Sequence, residues 1–418
     1  MPQASLYNFG PLGWLMLLGS LLALVPLLWV QWRNRGAHPA ARHRALTLLI
    51  LYLTFDLVLF GAFTRLSDSG LGCPDWPGCY GHASPLGAVQ PIETAQQALP
   101  SGPVTHGKAW IEMLHRYLAT GVGVLIIALA VSAWRLKANR LRTGALATLV
   151  WVCLQGAFGA LTVTMKLFPA IVTLHLLGGM VLLVLLVLQL RGASVLVPVA
   201  PGQVKPAEPS MPRPVQVLAW VTMAALALQI ALGGWVSTNY AVLACQDFPA
   251  CQGSAWPAMN FAQGFELWRP LGQTGQGANI SFQALTAIHF THRLMAFVAL
   301  ALLFALSWQL RRNLKLAGAK PSGATRALAM LAALQLTTGL GNVVLGWPLL
   351  AALLHTGGAA ALVVVLSWIL CSFYDSVAPS ATNSNIVQKS VKNLQSGLKM
   401  GNLVTTDLYQ ATATVKKR

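Results

Sequence analysis

Residues 110–134 read WIEMLHRYLATGVGVLIIALAVSAW and decide the fold of this chain. No charged residue lies between Arg116 and Arg135. An apolar run of about 20 residues is long enough to cross the roughly 30 Å hydrocarbon layer of a bilayer as a helix. The same run carries Glu112 and His115 near one end, and ionisable groups at membrane depth are functional candidates. The stretch therefore predicts a membrane helix that contributes to a site.

The rest of the chain repeats this apolar pattern. Similar runs lie at 11–32, 45–64, 143–164, 169–190, 215–238, 285–310, 326–347 and 349–373. Hydrophobic residues make up 56% and charged residues 9% of the 418 residues, whereas a soluble domain has roughly 25% charged residues. We therefore expect an all-α polytopic membrane protein. Because residues 1–10 lack the basic start of a cleavable signal, we expect 1–44 to hold an extra N-terminal transmembrane helix and a basic loop.

The formal net charge of +18 comes mostly from basic clusters between the apolar runs. The clusters lie at 33–44, 135–142, 191–213, 311–326 and 389–418. They occupy alternate connections, which is the positive-inside pattern and not that of a nucleic-acid-binding surface. We therefore expect no nucleic-acid partner, a bacterial inner membrane as the location, a periplasmic N-terminus and a cytoplasmic C-terminus.

Four of the six cysteines lie in the long connections that this topology places in the periplasm. Cys73 with Cys79, and Cys245 with Cys251, each enclose five residues. An oxidising compartment favours a disulfide within each pair. A zinc site is the alternative, but the pairs come from different loops and no neighbouring histidine completes either one.

An internal repeat with an offset of roughly 175 residues divides most of the chain into two halves. The motif EMLHR at 112–116 matches HFTHR at 289–293. Further matches join Gly61-Ala62-Phe63 with Gly233-Gly234-Trp235, QGAFG at 155–159 with QLTTG at 335–339, and LHLLGG at 174–179 with LHTGG at 354–358. Because both halves enter the membrane from the same side, we expect parallel repeats.

The predicted architecture is thus two parallel-repeat four-helix transmembrane bundles plus the extra helix. The bundles span 45–190 and 215–373 and are joined by a Pro-rich cytoplasmic linker, 191–214. Residues 374–418 are polar with little apolar periodicity, so we expect a disordered cytoplasmic tail without chemistry.

Four of the nine histidines lie inside apolar runs at matching positions of the two halves, namely His115, His175, His292 and His355. Each lies about seven residues, or roughly 10 Å, from the periplasmic end of its helix. Two imidazoles at one depth in each half are what axial ligation of a haem iron requires. The alternative is a hydrogen-bonded structural histidine at each position. The duplication favours ligation, and the neighbouring glycines either admit a flat macrocycle or serve helix packing.

Three arginines lie near the same outer level. Arg65 lies at the end of the second run, and Arg116 and Arg293 each follow a histidine directly. A haem carries two propionates, which a guanidinium can bind through paired hydrogen bonds. The alternative is that these side chains snorkel to lipid headgroups. Their outer position favours the propionates, since basic residues concentrate on the inner side.

Glu112 has no counterpart in the repeat, because the matching position is His289. It lies one helical turn before His115 and therefore on the same helix face. A salt bridge with Arg116, four residues further on, is the structural alternative. Since Arg293 is kept without the acid, the asymmetry predicts one catalytic site and one electron-transfer site.

Together these residues resemble the haem A synthase family of bacterial and mitochondrial membranes. The resemblance covers about 45–373 and rests on TRLSDSGL at 64–71, on the EMLHR motif and on the three other helical histidines with their neighbours. It implies oxidation of the C8 methyl of haem O to a formyl group, with O2 as co-substrate, to supply haem A to cytochrome oxidase. The first helix and the polar tail depart from the family's usual eight-helix plan.

The resemblance also implies a role for each site residue. His115 and His175 would bind haem O and its product, haem A. His292 and His355 would bind haem b. Glu112 would be the catalytic acid, placed to handle protons while the methyl group is oxidised.

Two other functions would use the same four histidines. One is a di-haem electron carrier of cytochrome b type acting on quinol, and the other is a haem chaperone or transporter. The 65–71 segment favours the enzyme, and so does Glu112, which has no counterpart in the second half. As partners we expect the lipid bilayer, a haem O synthase, the cytochrome oxidase assembly pathway, an electron donor not identified by the sequence, and a second copy of the chain in a homo-oligomer.

Overall fold

The computed structural model describes residues 7–198 and 211–375. Within these residues, nine helices are long and apolar enough to cross a membrane. They confirm the all-α polytopic fold class and coincide with the nine apolar runs. The linker 191–214 is described only at its two ends, and the expected tail lies outside the described residues after Asp375.

The helices are α1 (Leu12–Arg33), α2 (Pro39–Leu66), α3 (Val89–Ala98), α4 (His106–Arg135), α5 (Asn139–Thr164), α6 (Pro169–Leu196), α7 (Arg213–Thr238), α8 (Phe261–Gly264), α9 (Phe282–Leu316), α10 (Gly323–Val344) and α11 (Leu349–Asp375). Two short strands, β1 (Tyr7–Asn8) and β2 (Trp76–Pro77), pair in parallel. The short helices and strands were not predicted, since they lie in the connections and carry no long apolar run.

Helix ends depart from the apolar runs for local reasons. α9 continues past residue 310 through Arg311, Arg312 and Lys315, because an apolar run measures hydrocarbon thickness and not helix length. α10 ends at Val344 instead of 347. Gly346 and Trp347 there have positive φ and Pro348 follows, which stops the helix.

Hydroxyl side chains cap three of the described helices. Thr105, Ser281 and Ser322 each accept a hydrogen bond from the backbone N–H three residues ahead, at the starts of α4, α9 and α10. A cap of this kind satisfies one of the donors that the first helical turn leaves unpaired. It therefore fixes where α4 and α9 begin, a few residues before the EMLHR and HFTHR motifs.

The first half packs around α2, which contacts α4 and α6, while α5 contacts both of those helices. In the second half α9 contacts α7 and α10, and α6 packs on α7. Residues up to Cys371 form one compact unit, and only the end of α11 is described beyond them. The extra helix α1 packs on α4, where a Cβ on Gly19 would collide with Thr120.

Two cysteine loops repeat one arrangement. In the first (73–82), the sulfur atoms of Cys73 and Cys79 are 2.06 Å apart, and in the second (245–254), those of Cys245 and Cys251 are 1.94 Å apart. The cysteine pairs thus lie at disulfide distance, as the disulfide interpretation predicted. A backbone bridge closes each loop three residues after its second cysteine.

One aspartate per cysteine loop caps the turn that follows. Asp75 accepts hydrogen bonds from the N–H of Tyr80 (2.6 Å) and Gly81 (2.8 Å). Asp247 accepts the equivalent bonds from Gln252 and Gly253 (2.7 and 2.8 Å). The bond from Gly253, with that from Gln252, holds the pKa of Asp247 below its usual value. The two loops are therefore copies in structure as well as in sequence.

Candidate functional site

The four helical histidines form two pairs, one in each half. His115 on α4 and His175 on α6 lie close enough for an electrostatic interaction between their rings, and so do His292 on α9 and His355 on α11. These are the pairs that the repeat predicted. All four side chains are partly buried.

Each of the four rings lies against a glycine of a neighbouring helix. A Cβ on Gly61, Gly159, Gly233 or Gly339 would approach Cε1 of His115, His175, His292 or His355 at 3.0, 3.6, 2.9 and 3.2 Å, respectively. At Gly61, Gly233 and Gly339 a side chain would compete with the imidazole for space, whereas at Gly159 a Cβ would make an ordinary van der Waals contact. Glycines on α2, α5, α7 and α10 thus leave the space that the four rings occupy. From the sequence, these glycines are identifiable only as matching positions of the repeat.

We expect Gly233→Ala to weaken haem retention in the second half about tenfold, which is the scale of second-shell effects on metal ligands. The added Cβ, at 2.9 Å from Cε1 of His292, forces the ring to move. Gly341→Ala is the matched control, because its Cβ would meet no atom closer than 4.0 Å. Haem per purified protein, from the pyridine haemochrome spectrum, measures the effect. Equal haem contents in the two variants would contradict the packing role.

The glycines two or three residues after His175 and His355 serve helix packing. A Cβ on Gly178 or Gly358 would collide with the side chain of Gln155 or Gln335, respectively. Gly357 lies against Leu59 of α2, where an added Cβ would come within 2.7 Å of the nearest side-chain carbon. Of the two interpretations offered for these glycines, the packing interpretation fits this geometry.

Glu112 is buried and both of its carboxylate oxygens are engaged. Oε2 accepts a hydrogen bond from the N–H of Cys73 (2.8 Å), and Oε1 pairs with the guanidinium of Arg116. The salt bridge that was weighed as the structural alternative is therefore present. It does not test the catalytic assignment, because an ion pair can position a carboxylate as well as stabilise the fold.

Arg116 binds the first cysteine loop. Its Nη1 donates to the carbonyl oxygens of Asp75 (2.9 Å), Pro77 (3.1 Å) and Gly78. Together with the bond from Cys73 N–H to Glu112, these contacts fasten the loop to the outer end of α4.

Arg293 binds the second cysteine loop in the same way. It donates to the carbonyl oxygens of Asp247 (2.7 Å), Ala250 (3.0 Å) and Cys245. Its Nε donates to Nε2 of His289 at 3.4 Å, where the first half has the carboxylate of Glu112. Both halves thus have an arginine bound to the carbonyl oxygens of a cysteine loop, and only the first half has a glutamate beside that arginine.

Arg65 connects the two halves. Its Nη2 donates to the carbonyl of Ser237 at the end of α7 (2.6 Å), and its guanidinium lies 4.0 Å from the ring centre of Tyr240. Tyr240 in turn donates to Asp68 (2.7 Å), which also pairs with Lys108 (3.1 Å). Burial raises the pKa of Asp68, but the hydrogen bonds from Tyr240 and Lys108, with the positive charges of Lys108 and Arg65, outweigh it and hold that pKa below its usual value.

The paired histidines fit haem better than a bare metal ion. Among residues 7–198 and 211–375, no three His, Cys, Asp or Glu side chains cluster in a way that could hold a metal ion. Haem iron needs only two protein ligands. Nδ1 of His115 and of His175 is buried without a hydrogen-bond partner, so neither ring is held by the bonds that a structural histidine would make.

Known proteins resemble this chain over most of its length. The family model for the cytochrome oxidase assembly proteins COX15-CtaA matches residues 44–367. The protein named heme A synthase of Shewanella oneidensis is 36% identical over 76% of this chain and 92% of its own length. Proteins of the same name from Methylobacterium sp. (strain 4-46) and Halalkalibacterium halodurans are 30% and 28% identical, over 80% and 79% of this chain and 92% and 96% of their own lengths. With the matched region containing all four histidines and both cysteine loops, the chain belongs to the COX15-CtaA family of heme A synthases.

Proposed function

We propose that this protein is a haem A synthase, an oxidoreductase that converts the C8 methyl of haem O to the formyl group of haem A. The observation that carries the proposal is the duplicated histidine pair, each ring against a glycine, with a buried carboxylate beside one pair only. Two equal sites would suit an electron carrier. A site with an acid and a site without one suit an enzyme with a substrate haem and a resident haem.

The two haems are assigned by this difference. His115 and His175 would hold haem O and later haem A in the first half, 45–190. His292 and His355 would hold haem b in the second half, 215–373. When bound, haem b supplies a redox centre that relays electrons to the first half. Two successive hydroxylations of the methyl carbon would each take up one O2, two electrons and two protons and release one water, and the resulting geminal diol would lose a third water to leave the formyl group.

Glu112 would manage protons in this reaction. Its carboxylate is held by Arg116 and by the N–H of Cys73, one helical turn from His115. A carboxylate fixed by two donors keeps one orientation while a proton is taken up or released. The two bonds would therefore position the group, and the ion pair would belong to the catalytic arrangement.

Three arginines would bind propionates at this level, Arg65, Arg116 and Arg293. In the described residues, Arg65 binds one backbone carbonyl, whereas Arg116 and Arg293 bind three each. A guanidinium has five N–H donors, so Arg65 has the most capacity left for a propionate. Arg116 and Arg293 would contribute mainly by fixing the cysteine loops over the two sites.

We further propose that the protein lies in a bacterial inner membrane with the cysteine loops and the N-terminus in the periplasm. Arg33, Arg135 and Arg311 lie at helix ends remote from the cysteine loops, which is the distribution expected for a cytoplasmic side. Haem O synthase and cytochrome oxidase assembly would be its partners in supply and use, and an electron donor and a second copy of the chain are further proposed partners.

Co-expression with a haem O source tests the function. We expect extracted haems to contain haem A, identified by mass and by the spectrum of its formyl group, and a His115→Ala, His175→Ala double variant to abolish it. Haem O that stays unchanged in a protein carrying two haems would instead favour the di-haem electron carrier. Haem O that is bound and passed on unaltered would favour the chaperone.

A further inference from the structure

The histidines of the two halves differ in the hydrogen bonds made by their ring nitrogen Nδ1. Nδ1 of His355 lies 2.9 Å from the hydroxyl of Thr338 on α10, and Nδ1 of His292 lies 3.1 Å from the side-chain amide of Gln229 on α7. Nδ1 of His115 and of His175 is buried and has no hydrogen-bond partner. Both ligand candidates of the second half therefore have a hydrogen-bond partner at Nδ1, and both ligand candidates of the first half lack one.

Thr338 determines the tautomer of His355. Its hydroxyl hydrogen is donated to the carbonyl of Leu334 (2.7 Å), one turn back on the same helix. The oxygen can then only accept at the histidine, so Nδ1 of His355 must carry the proton. Nε2 of His355 is left with a lone pair, which is the form that binds iron.

Gln229 packs its amide against the ring of His292. Its amide nitrogen lies 3.1 Å from Nδ1 and 3.5 Å from Nε2 of the ring, and it donates to the backbone carbonyl of His292 at 3.3 Å. Its Oε1 is buried without a partner, and the two ends of a Gln amide exchange by rotation. Rotation of the amide exchanges the bond to the carbonyl for one in which Oε1 accepts the Nδ1 proton, which leaves Nε2 of His292 for the iron.

The first half has apolar residues at both matching positions. Gln229 lies four residues before Gly233, and Leu57 lies four before Gly61. Thr338 lies one residue before Gly339, and Phe158 lies one before Gly159. Leu and Phe offer no hydrogen-bonding group, which explains the unpartnered nitrogens of His115 and His175.

We infer that Gln229 and Thr338 are positioning residues that make the second half a site for a permanently held haem, and that Leu57 and Phe158 make the first half a site that releases its haem. The inference rests on the proposed function, because only a substrate site must exchange its haem. A hydrogen bond to Nδ1 fixes the ring and makes the ligand more basic, and its loss costs about 10- to 100-fold in metal affinity. Leaving out both bonds in the first half lowers the barrier to releasing haem A and taking up the next haem O.

Haem transfer to apomyoglobin from the purified, haem-loaded protein tests this. We expect two phases, with haem O and haem A leaving at least about tenfold faster than haem b. Thr338→Val and Gln229→Leu should speed the haem b phase about 10- to 100-fold and raise the midpoint potential of that haem, since a less basic ligand stabilises the ferric state less. Thr337→Val is the matched control, because this exposed hydroxyl donates only to Leu334 in the described residues.

The reciprocal variant keeps the test independent of damage to the fold. Phe158→Thr should place an acceptor at Nδ1 of His175 and slow release from the first half. Equal release rates for the two haems of the wild type, or unchanged rates and potentials in both Thr338→Val and Gln229→Leu, would overturn the inference even if haem A is made. Two release phases with the expected variant effects, but no haem A formed, would uphold the positioning roles and remove the proposed enzyme.

Discussion

Glu112→His is expected to keep the fold and both haems and to lower the yield of haem A per folded protein at least about 100-fold, the lower end of what a general acid or base contributes. The second half already shows this arrangement, with His289 beside Arg293 and the arginine still bound to its loop. The substitution therefore gives the first half the same histidine–arginine pair as the second half. Extracted haems, analysed by mass and normalised to protein, give the result.

Glu112→Gln is the companion variant, because its amide oxygen can still accept from Cys73 N–H or from Arg116. Both variants should show wild-type haem content and thermal stability within a few degrees. Glu112→Ala is a poorer probe, since alanine has no acceptor and leaves both the Cys73 N–H and the Arg116 guanidinium without a partner at position 112. Normal haem A yield from Glu112→Gln would assign Glu112 to anchoring the cysteine loop alone.

His355→Ala is expected to remove nearly all haem b from the purified protein while the first half keeps its haem, and His292→Ala should do the same. The reason is that the rings of His292 and His355 lie close together on two different helices, and a low-spin haem needs both of these ligands. Optical and electron paramagnetic resonance spectra of the two variants, with haem extraction, measure the loss.

His106→Ala serves as the control for those variants, because His106 lies at the start of α4 and faces Glu93 at 3.8 Å, outside both pairs. It should keep both haems. Full haem b in both His292→Ala and His355→Ala would refute the ligand assignment, whatever the activity of the protein.

The sequence predicted the membrane helices because apolar length is a property of each segment alone. It predicted the histidine pairs for a different reason, since duplication placed His115 with His175 and His292 with His355 without any knowledge of helix packing. Helix ends were missed where basic residues, such as Arg311, extend a helix beyond the hydrocarbon. The salt bridge of Glu112 could be named as an alternative because its partner, Arg116, lies on the same helix.

Contacts between distant segments were not predictable in the same way. The glycines that face the histidines lie on other helices, and only the fold shows that Gly61 meets His115. The carbonyl partners of Arg116 belong to a loop that has no periodicity. Thr338 and Gln229 looked like ordinary membrane-helix polar residues, although comparing them with Phe158 and Leu57 in the repeat could have revealed the difference.

The pairing of β1 with β2 affects where a purification tag can be joined to this protein. Tyr7 lies opposite Trp76 in the first cysteine loop, and its hydroxyl donates to Thr164 at the end of α5 (3.1 Å). Residues 7 and 8 are thus part of the structure that covers the first half. An affinity tag or fluorescent fusion joined close to Tyr7 would disturb these contacts over the half proposed to bind the substrate, so we expect purification tags to be tolerated better at the C-terminus.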